Sequence, residues 1–196
     1  MIITPLDVSD YPSRIVPPFN STRSTGRVHL TDIIRDMAAS IGKSKGDGST
    51  TDEDLNWYAS GGWLWERIWD AAHREAVADG SVYCPGEIEL DGIVGTPDRV
   101  RIENDGALTL VELKCRWQSA YKFDSLEKNY FQELTQIMSY CRMVGADRAE
   151  LCVFFVAGNW RPPVPMARAV GLEFTERELA ENWEMVRGHA QRKGWL

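Results

Sequence analysis

An α/β fold is predicted by the order in which residue periodicities change along this chain. Two helical patterns come first, three strand-like segments follow, and then a third helix, a further strand and a closing helix. The chain has 196 residues, 43% of them apolar, and eight tryptophans, enough to bury a sizeable core. No self-similar period is apparent, which argues against a repeat architecture.

Residues 1–26 are rich in Pro, Ser and Thr and read as an extended arm, with residues 27–196 as a single domain. Arg27 to Ile41 carries Leu30, Ile33, Ile34, Met37 and Ile41 at helical spacing. The polar, glycine-containing stretch 42–54 is expected to be a mobile loop. Its Gly42-Lys43-Ser44 is not a phosphate-binding loop, because the earlier glycine such a loop requires falls on Met37. From about Gly62 to Ala78 the stripe Trp65, Trp69, Ala72 and Ala76 marks a second helix, with Glu66 on its border and Asp70 and His73 further along. His73 reads as a packing or surface histidine and stays outside the site. Gly86 to Val94 reads as one strand, Glu87 and Glu89 alternating with Ile88 and Leu90 as a solvated face.

Asp98 to Glu103 is the next strand, and Asn104-Asp105-Gly106 is a hairpin turn, since Gly takes the left-handed conformation that closes such loops. The loop length sets the register. A three-residue loop sets Glu103 against Ala107 and Asp98 opposite Glu112, whereas a two-residue Asp105-Gly106 loop sets Asp98 against Leu113, on the wrong face for a shared ion. The three-residue loop is the expectation. On Leu110-Val111-Glu112-Leu113-Lys114, Glu112 and Lys114 then share a face while Leu113 points into the opposite layer. Two carboxylates so close repel unless a cation lies between them, and all-oxygen ligands suit Mg²⁺ or Mn²⁺ rather than zinc. Such an ion lowers the pKa of bound water and neutralises charge on a phosphoryl oxygen, while a nearby ammonium, Lys114, orients the nucleophile or stabilises the transition state.

Beyond the hairpin, Ser125 to Val144 is an amphipathic helix built on Phe131, Leu134, Met138, Cys141 and Val144. Gln132, Gln136 and Tyr140, spaced four apart, form a separate stripe able to address a phosphate backbone or to hold the lysine by hydrogen bonding. Glu150 to Val156 is a buried-type strand, Trp160 to Pro165 a proline-rich loop, and Thr175 to Arg192 the closing helix.

Gly95-Thr96-Pro97-Asp98, followed by Val111-Glu112-Leu113-Lys114, resembles the signature of the PD-(D/E)XK nuclease superfamily. Gln136-Ile137-Met138-Ser139-Tyr140 is similar to the QxxxY motif of its RecB-like and phage (lambda-type) exonuclease branch. Glu66, in Gly61-Gly62-Trp63-Leu64-Trp65-Glu66, resembles the upstream helical motif that supplies an additional metal ligand there. The four pieces stand in the right order over residues 61–140. The resemblance implies a restriction-endonuclease-like core, a mixed central β-sheet flanked by helices that the order of elements matches, and a Mg²⁺- or Mn²⁺-dependent hydrolase. Its ligands would be Glu66, Asp98, Glu112 and the Leu113 carbonyl; Lys114 would be the catalytic cation, Gln136 and Tyr140 would complete the site, and water would be the nucleophile. Some RecB-like relatives carry an iron–sulfur cluster on one upstream and three clustered downstream cysteines. Cys84, Cys115, Cys141 and Cys152 depart from that spacing, so no cluster is expected and they read as reduced, small hydrophobes.

The net charge of −7 is awkward for a nucleic-acid enzyme, but its distribution is not. From Leu113 to Arg148 the basic residues Lys114, Arg116, Lys122, Lys128, Arg142 and Arg148 outnumber Asp124, Glu127, Glu133 and Asp147, six against four, whereas Glu173 to Glu184 is acidic. Arg116, Lys122, Trp117 and Tyr121, with Gln132 and Gln136, are the expected DNA contacts through charge, stacking and hydrogen bonds. No signal peptide and no apolar run long enough to span a membrane is present, so the expectation is a cytoplasmic protein without membrane contact. The reading is a DNA exonuclease of recombination, repair or degradation, acting on linear double- or single-stranded DNA, with a homo-oligomer or a recombination protein as partner. Its rivals are a structure-specific or restriction-type endonuclease, for which a separate recognition domain is missing, and an inactive DNA-binding subunit, against which every motif residue is present.

Overall fold

The structure, a computed structural model, describes residues 26–42, 52–117, 119–158 and 165–196, without the side chains of 52–59, 122, 124 and 127. The expected arm, apart from Gly26, lies outside these residues, as do 43–51 of the expected loop and most of the proline-rich loop.

In chain order the elements are β1 (Val28–His29), α1 (Leu30–Ser40), α2 (Asp52–Ala72), α3 (Arg74–Ala78), β2 (Val82–Tyr83), β3 (Ile88–Leu90), β4 (Ile93–Gly95), β5 (Arg99–Ile102) and β6 (Leu108–Arg116). A 3₁₀ turn (Ala120–Ser125) then leads to α4 (Leu126–Asn129), α5 (Phe131–Val144), β7 (Arg148–Phe155), β8 (Met166–Glu173) and α6 (Glu176–Arg192). The main sheet has the order β2-β5-β6-β7-β8 and is mixed: β6 and β7 run parallel, and the other neighbours antiparallel. Parallel strands need a crossover, and α4 and α5 supply it, which is why the Gln136/Tyr140 helix lies against the strand that carries Glu112. A smaller sheet, β1-β4-β3, adjoins it.

Alternation along β6 divides the core. Leu110 faces a layer of α1, α5 and α6 residues that includes Leu30, Ile33, Ile137, Tyr140, Trp183 and Val186, joined by Leu151, Val153 and Phe155 from β7. Val111 and Leu113 face the other side, where Trp65 and Trp69 of α2 pack with Val82 and Cys152. Glu112 and Lys114, in step with Leu110, therefore lie on the α5 side. Thr175 and Glu178 close a reciprocal capping box at the start of α6.

Four expectations change. Residues 52–54 are helical, because α2 begins at Asp52, and that helix ends at Ala72 with His73 separating it from α3. Gly86 to Val94 is a hairpin rather than one strand: Asp91 (φ 51°) and Gly92 (φ 80°) make a two-residue turn between β3 and β4. Tyr130 interrupts the helix expected from Ser125 to Val144. Finally β8, an edge strand in which most residues are exposed or half-buried, was not expected at all. The mixed sheet flanked by helices is the architecture observed.

Candidate active site

The β5–β6 hairpin builds the site. Glu103 N donates to Ala107 O at 2.8 Å and Gly106 N to Glu103 O at 2.8 Å, with Gly106 at φ 81°, so the loop has the three expected residues. Pairing runs from Ile102 with Leu108 to Arg99 with Val111, and the next position along brings Asp98 opposite Glu112. Asp98 does not continue the strand pairing with its backbone; its Oδ2 accepts the Leu113 amide at 2.8 Å.

Glu112 is 1% exposed, and its Oε1 pairs with the Lys114 ammonium. Oε2 is buried and accepts no hydrogen bond, a costly state for an ionised oxygen unless something cationic reaches it. Burial first, then the Asp98 charge, raises the Glu112 pKa against the pull of Lys114. Burial alone would lower Lys114, but Glu112 and Asp98 overcome it and hold the ammonium above the usual lysine range. The orphaned oxygen and the all-oxygen donors fit a hard divalent cation, which Asp98 and Glu112 would hold.

Tyr140 and Gln136 stand over this pair. Tyr140 is 3% exposed, and its hydroxyl accepts from Gln136 Nε2 at 3.1 Å. Burial, with the Glu112 charge second, pushes the phenol up to about 12, so it keeps its proton at neutral pH. Its ring packs on Gly95 of β4, where an added Cβ would come within 2.6 Å of Cε1.

Glu66 of α2 reaches the same strand end by a different partner. Its Oε2 lies 3.5 Å from Nη2 of Arg99, and Arg99 is held in a two-pronged grip by Asp70. Burial, then Asp98, raises the Glu66 pKa, while Arg99 pulls it down. Leu113 has its side chain among Trp65, Trp69 and Val111 and its amide on Asp98. Among the described residues, no three Asp, Glu, His or Cys side chains stand grouped as a ready metal cage, and each expected carboxylate ligand has a partner: Glu112 has Lys114, Asp98 the Leu113 amide and Glu66 Arg99. His73 stacks on Trp69 with ring centroids 3.9 Å apart, and Glu87 and Glu89 pair with Arg27.

Of the expected DNA contacts, Arg116, Gln132 and Gln136 line one cavity of about 240 Å³ together with Lys114. Arg116 is not simply free for phosphate, because it pairs with the buried carboxylate of Glu133. Trp117 and Tyr121 are 46% and 60% exposed just after β6, and the Lys122 side chain lies outside the description. The sequence reading missed Arg99, Glu133 and, from α1, Thr31 and Arg35 on the cavity wall. Glu66 and Asp70, one helical turn apart on α2, carried a signal for a shared cation; nothing local placed α1 beside α5.

No protein-family profile and no curated protein sequence matches this chain. Its fold is similar to that of a phage-related exonuclease from Haemophilus somnus, with TM-score 0.50 and 15% identity over 96% of this chain and 92% of the other. An alkaline exonuclease from Laribacter hongkongensis matches with TM-score 0.49 and 13% identity, over 87% of this chain and 89% of that one. The mixed α/β fold, a mixed sheet flanked by helices, is thus similar to that of the phage-related exonuclease.

Proposed function

We propose that this chain is a divalent-metal-dependent deoxyribonuclease that hydrolyses phosphodiester bonds, acting as an exonuclease on linear DNA. The observation that carries the reading is the hairpin register, which puts Asp98 opposite Glu112 with Lys114 on the same face, together with a buried Glu112 oxygen that accepts no hydrogen bond. A bound Mg²⁺ or Mn²⁺ would supply an activated water and offset charge on the phosphoryl group. Asp98 and Glu112 would hold it, with Glu66 and the Leu113 carbonyl as further ligands. Lys114 stands beside the reacting group and donates to developing negative charge, an interaction that grows in the transition state. The protonated Tyr140 hydroxyl and the Gln136 amide offer neutral donors that fix a phosphate oxygen without competing for the cation.

The cavity formed by Lys114, Arg116, Gln132, Gln136 and Arg35 supports a phosphate backbone running past this point, with the exposed rings of Trp117 and Tyr121 beyond it for stacking. The described residues form one α/β body without an added module for reading base sequence, which favours recognition of DNA form and ends over sequence.

The test is incubation of the purified protein with end-labelled linear and covalently closed circular DNA, in Mg²⁺, in Mn²⁺ and in chelator. Ion-dependent loss of linear DNA with persistence of circles is expected. Linearisation of circles at fixed positions would establish an endonuclease instead, and DNA binding without cleavage in either ion would establish a binding subunit.

A further inference from the structure

We infer that Arg99 is the resident counter-cation of this site and limits how tightly a divalent ion is held there. The inference rests on the reading that Asp98 and Glu112 hold such an ion. Arg99 directly follows Asp98 and donates through Nη1 to the Asp98 carbonyl at 2.6 Å. Its Nε and Nη2 donate to Asp70 Oδ1 and Oδ2 at 3.0 and 2.8 Å, a fork geometry that fixes the plane of the guanidinium. Locked in this way, Nη2 lies 3.5 Å from Glu66 Oε2. Only 13% of the Arg99 side chain is exposed, so water screens the charge weakly, and a guanidinium does not leave by losing its proton. Glu66 thus faces a permanent competitor for the cation it would otherwise help to bind.

The two cations of this region serve different carboxylates: Arg99 holds Asp70 and Glu66 on the α2 side, and Lys114 holds Glu112 on the α5 side. Arg99 stands where further positive charge would otherwise be drawn, and the Asp70 grip keeps it from moving onto Asp98. Arg99 is therefore a positioning residue: it acts through Glu66.

Calorimetric titration of the DNA-free protein with Mn²⁺ tests this without reference to cleavage. Arg99→Gln is expected to tighten Mn²⁺ binding by about tenfold, the effect of removing one weakly screened charge a few ångströms away. Asp70→Asn is expected to weaken it, because the released guanidinium then neutralises Glu66 and Asp98. Arg99→Lys keeps the charge and should stay within about threefold of wild type, and it stands in should Arg99→Gln not fold. In the Arg99→Gln background, adding Glu66→Gln should remove the gain. A clasp that merely joins α2 to β5 predicts a fall in melting temperature with affinity unchanged or weakened in both single variants, and that result overturns the inference. Failure of the wild type to bind Mn²⁺ saturably overturns the metal reading as well; saturable binding that Arg99→Gln leaves unchanged removes only the role of Arg99.

Discussion

The ring of Tyr140 lies so close to Gly95 that a methyl group there would come within 2.6 Å of Cε1 and 3.1 Å of Met143 Sδ. Gly95 has no positive φ, so its glycine is a matter of space alone. This contact ties the helix bearing Gln136 and Tyr140 to the strand that leads into Asp98. Gly95→Ala should displace the ring and lower cleavage by roughly tenfold or more, with overpacking costing about 1–3 kcal/mol of stability. Tyr140→Ala removes the clashing atoms, so in that background the added methyl should cost little further. Melting temperature and single-turnover rate, measured around this four-member cycle, check the coupling; additive losses would separate the two residues.

Asp98 and Glu112 should fail together as metal ligands. Asp98→Asn or Glu112→Gln is expected to abolish Mn²⁺ binding by calorimetry and cleavage in the same step. Lys114→Ala should behave oppositely, because it frees Glu112 Oε1 from its ammonium partner: Mn²⁺ binding at least as tight as wild type, DNA affinity little changed, and a rate loss of two orders of magnitude or more, on the scale of losing one preorganised charge in the transition state. A large loss of DNA affinity with the single-turnover rate unchanged would make Lys114 a binding residue.

Away from the site, Asp36 of α1 joins α6 and the residues after it through His189 Nε2 at 2.6 Å and Lys193 Nζ at 2.9 Å. Lys193 first, and His189 second, lower the Asp36 pKa. Because folding lowers it, the contribution is present above the unfolded carboxylate value, about 3.9, and is lost as pH falls through the lower folded one. Asp36→Asn should melt below wild type at neutral pH, and the gap should close as pH drops under 4. Thermal denaturation across pH 3 to 7 provides the check; a gap that widens in acid would contradict this pairing.

What was legible in the sequence followed local rules. Asn104-Asp105-Gly106 set the register because a left-handed glycine closes few loops, and that register alone placed Asp98 opposite Glu112. Asp91-Gly92 obeyed the same rule but was hidden, since the alternation of Ile88, Leu90 and Val94 continues through the turn. β8 was hidden because Arg168 breaks the alternation of Met166, Val170 and Leu172, and as an edge strand it leaves all its residues exposed or half-buried. Partner choice was illegible for a different reason. Arg116 read as a phosphate contact, but a buried Glu133 seventeen residues on claims it, and only tertiary packing shows which carboxylate ends up underneath. Glu66 was expected at the site from its resemblance to an upstream helical motif and its helix border position, while the guanidinium that engages it sits on another element.

Gln136 and Tyr140 should position substrate without touching cation affinity. One helical turn separates them, Gln136 Nε2 donates to the Tyr140 hydroxyl, and neither carries charge at neutral pH. The phenol proton is thus left to donate to a phosphate oxygen. Tyr140→Phe removes that donor and the acceptor for Gln136 while keeping the ring that packs on Gly95, so packing and hydrogen bonding are separated. Losing such a bond costs roughly 1–3 kcal/mol, hence about one to two orders of magnitude in rate. Mn²⁺ binding and melting temperature should stay near wild type in Tyr140→Phe, and Gln136→Ala should lose a similar factor with no further loss in the double variant, since the two act through one hydrogen-bonded unit. Wild-type rates in both single variants would reduce the pair to a structural element of α5 and would leave the carboxylate site, which rests on the β5–β6 register, unaffected.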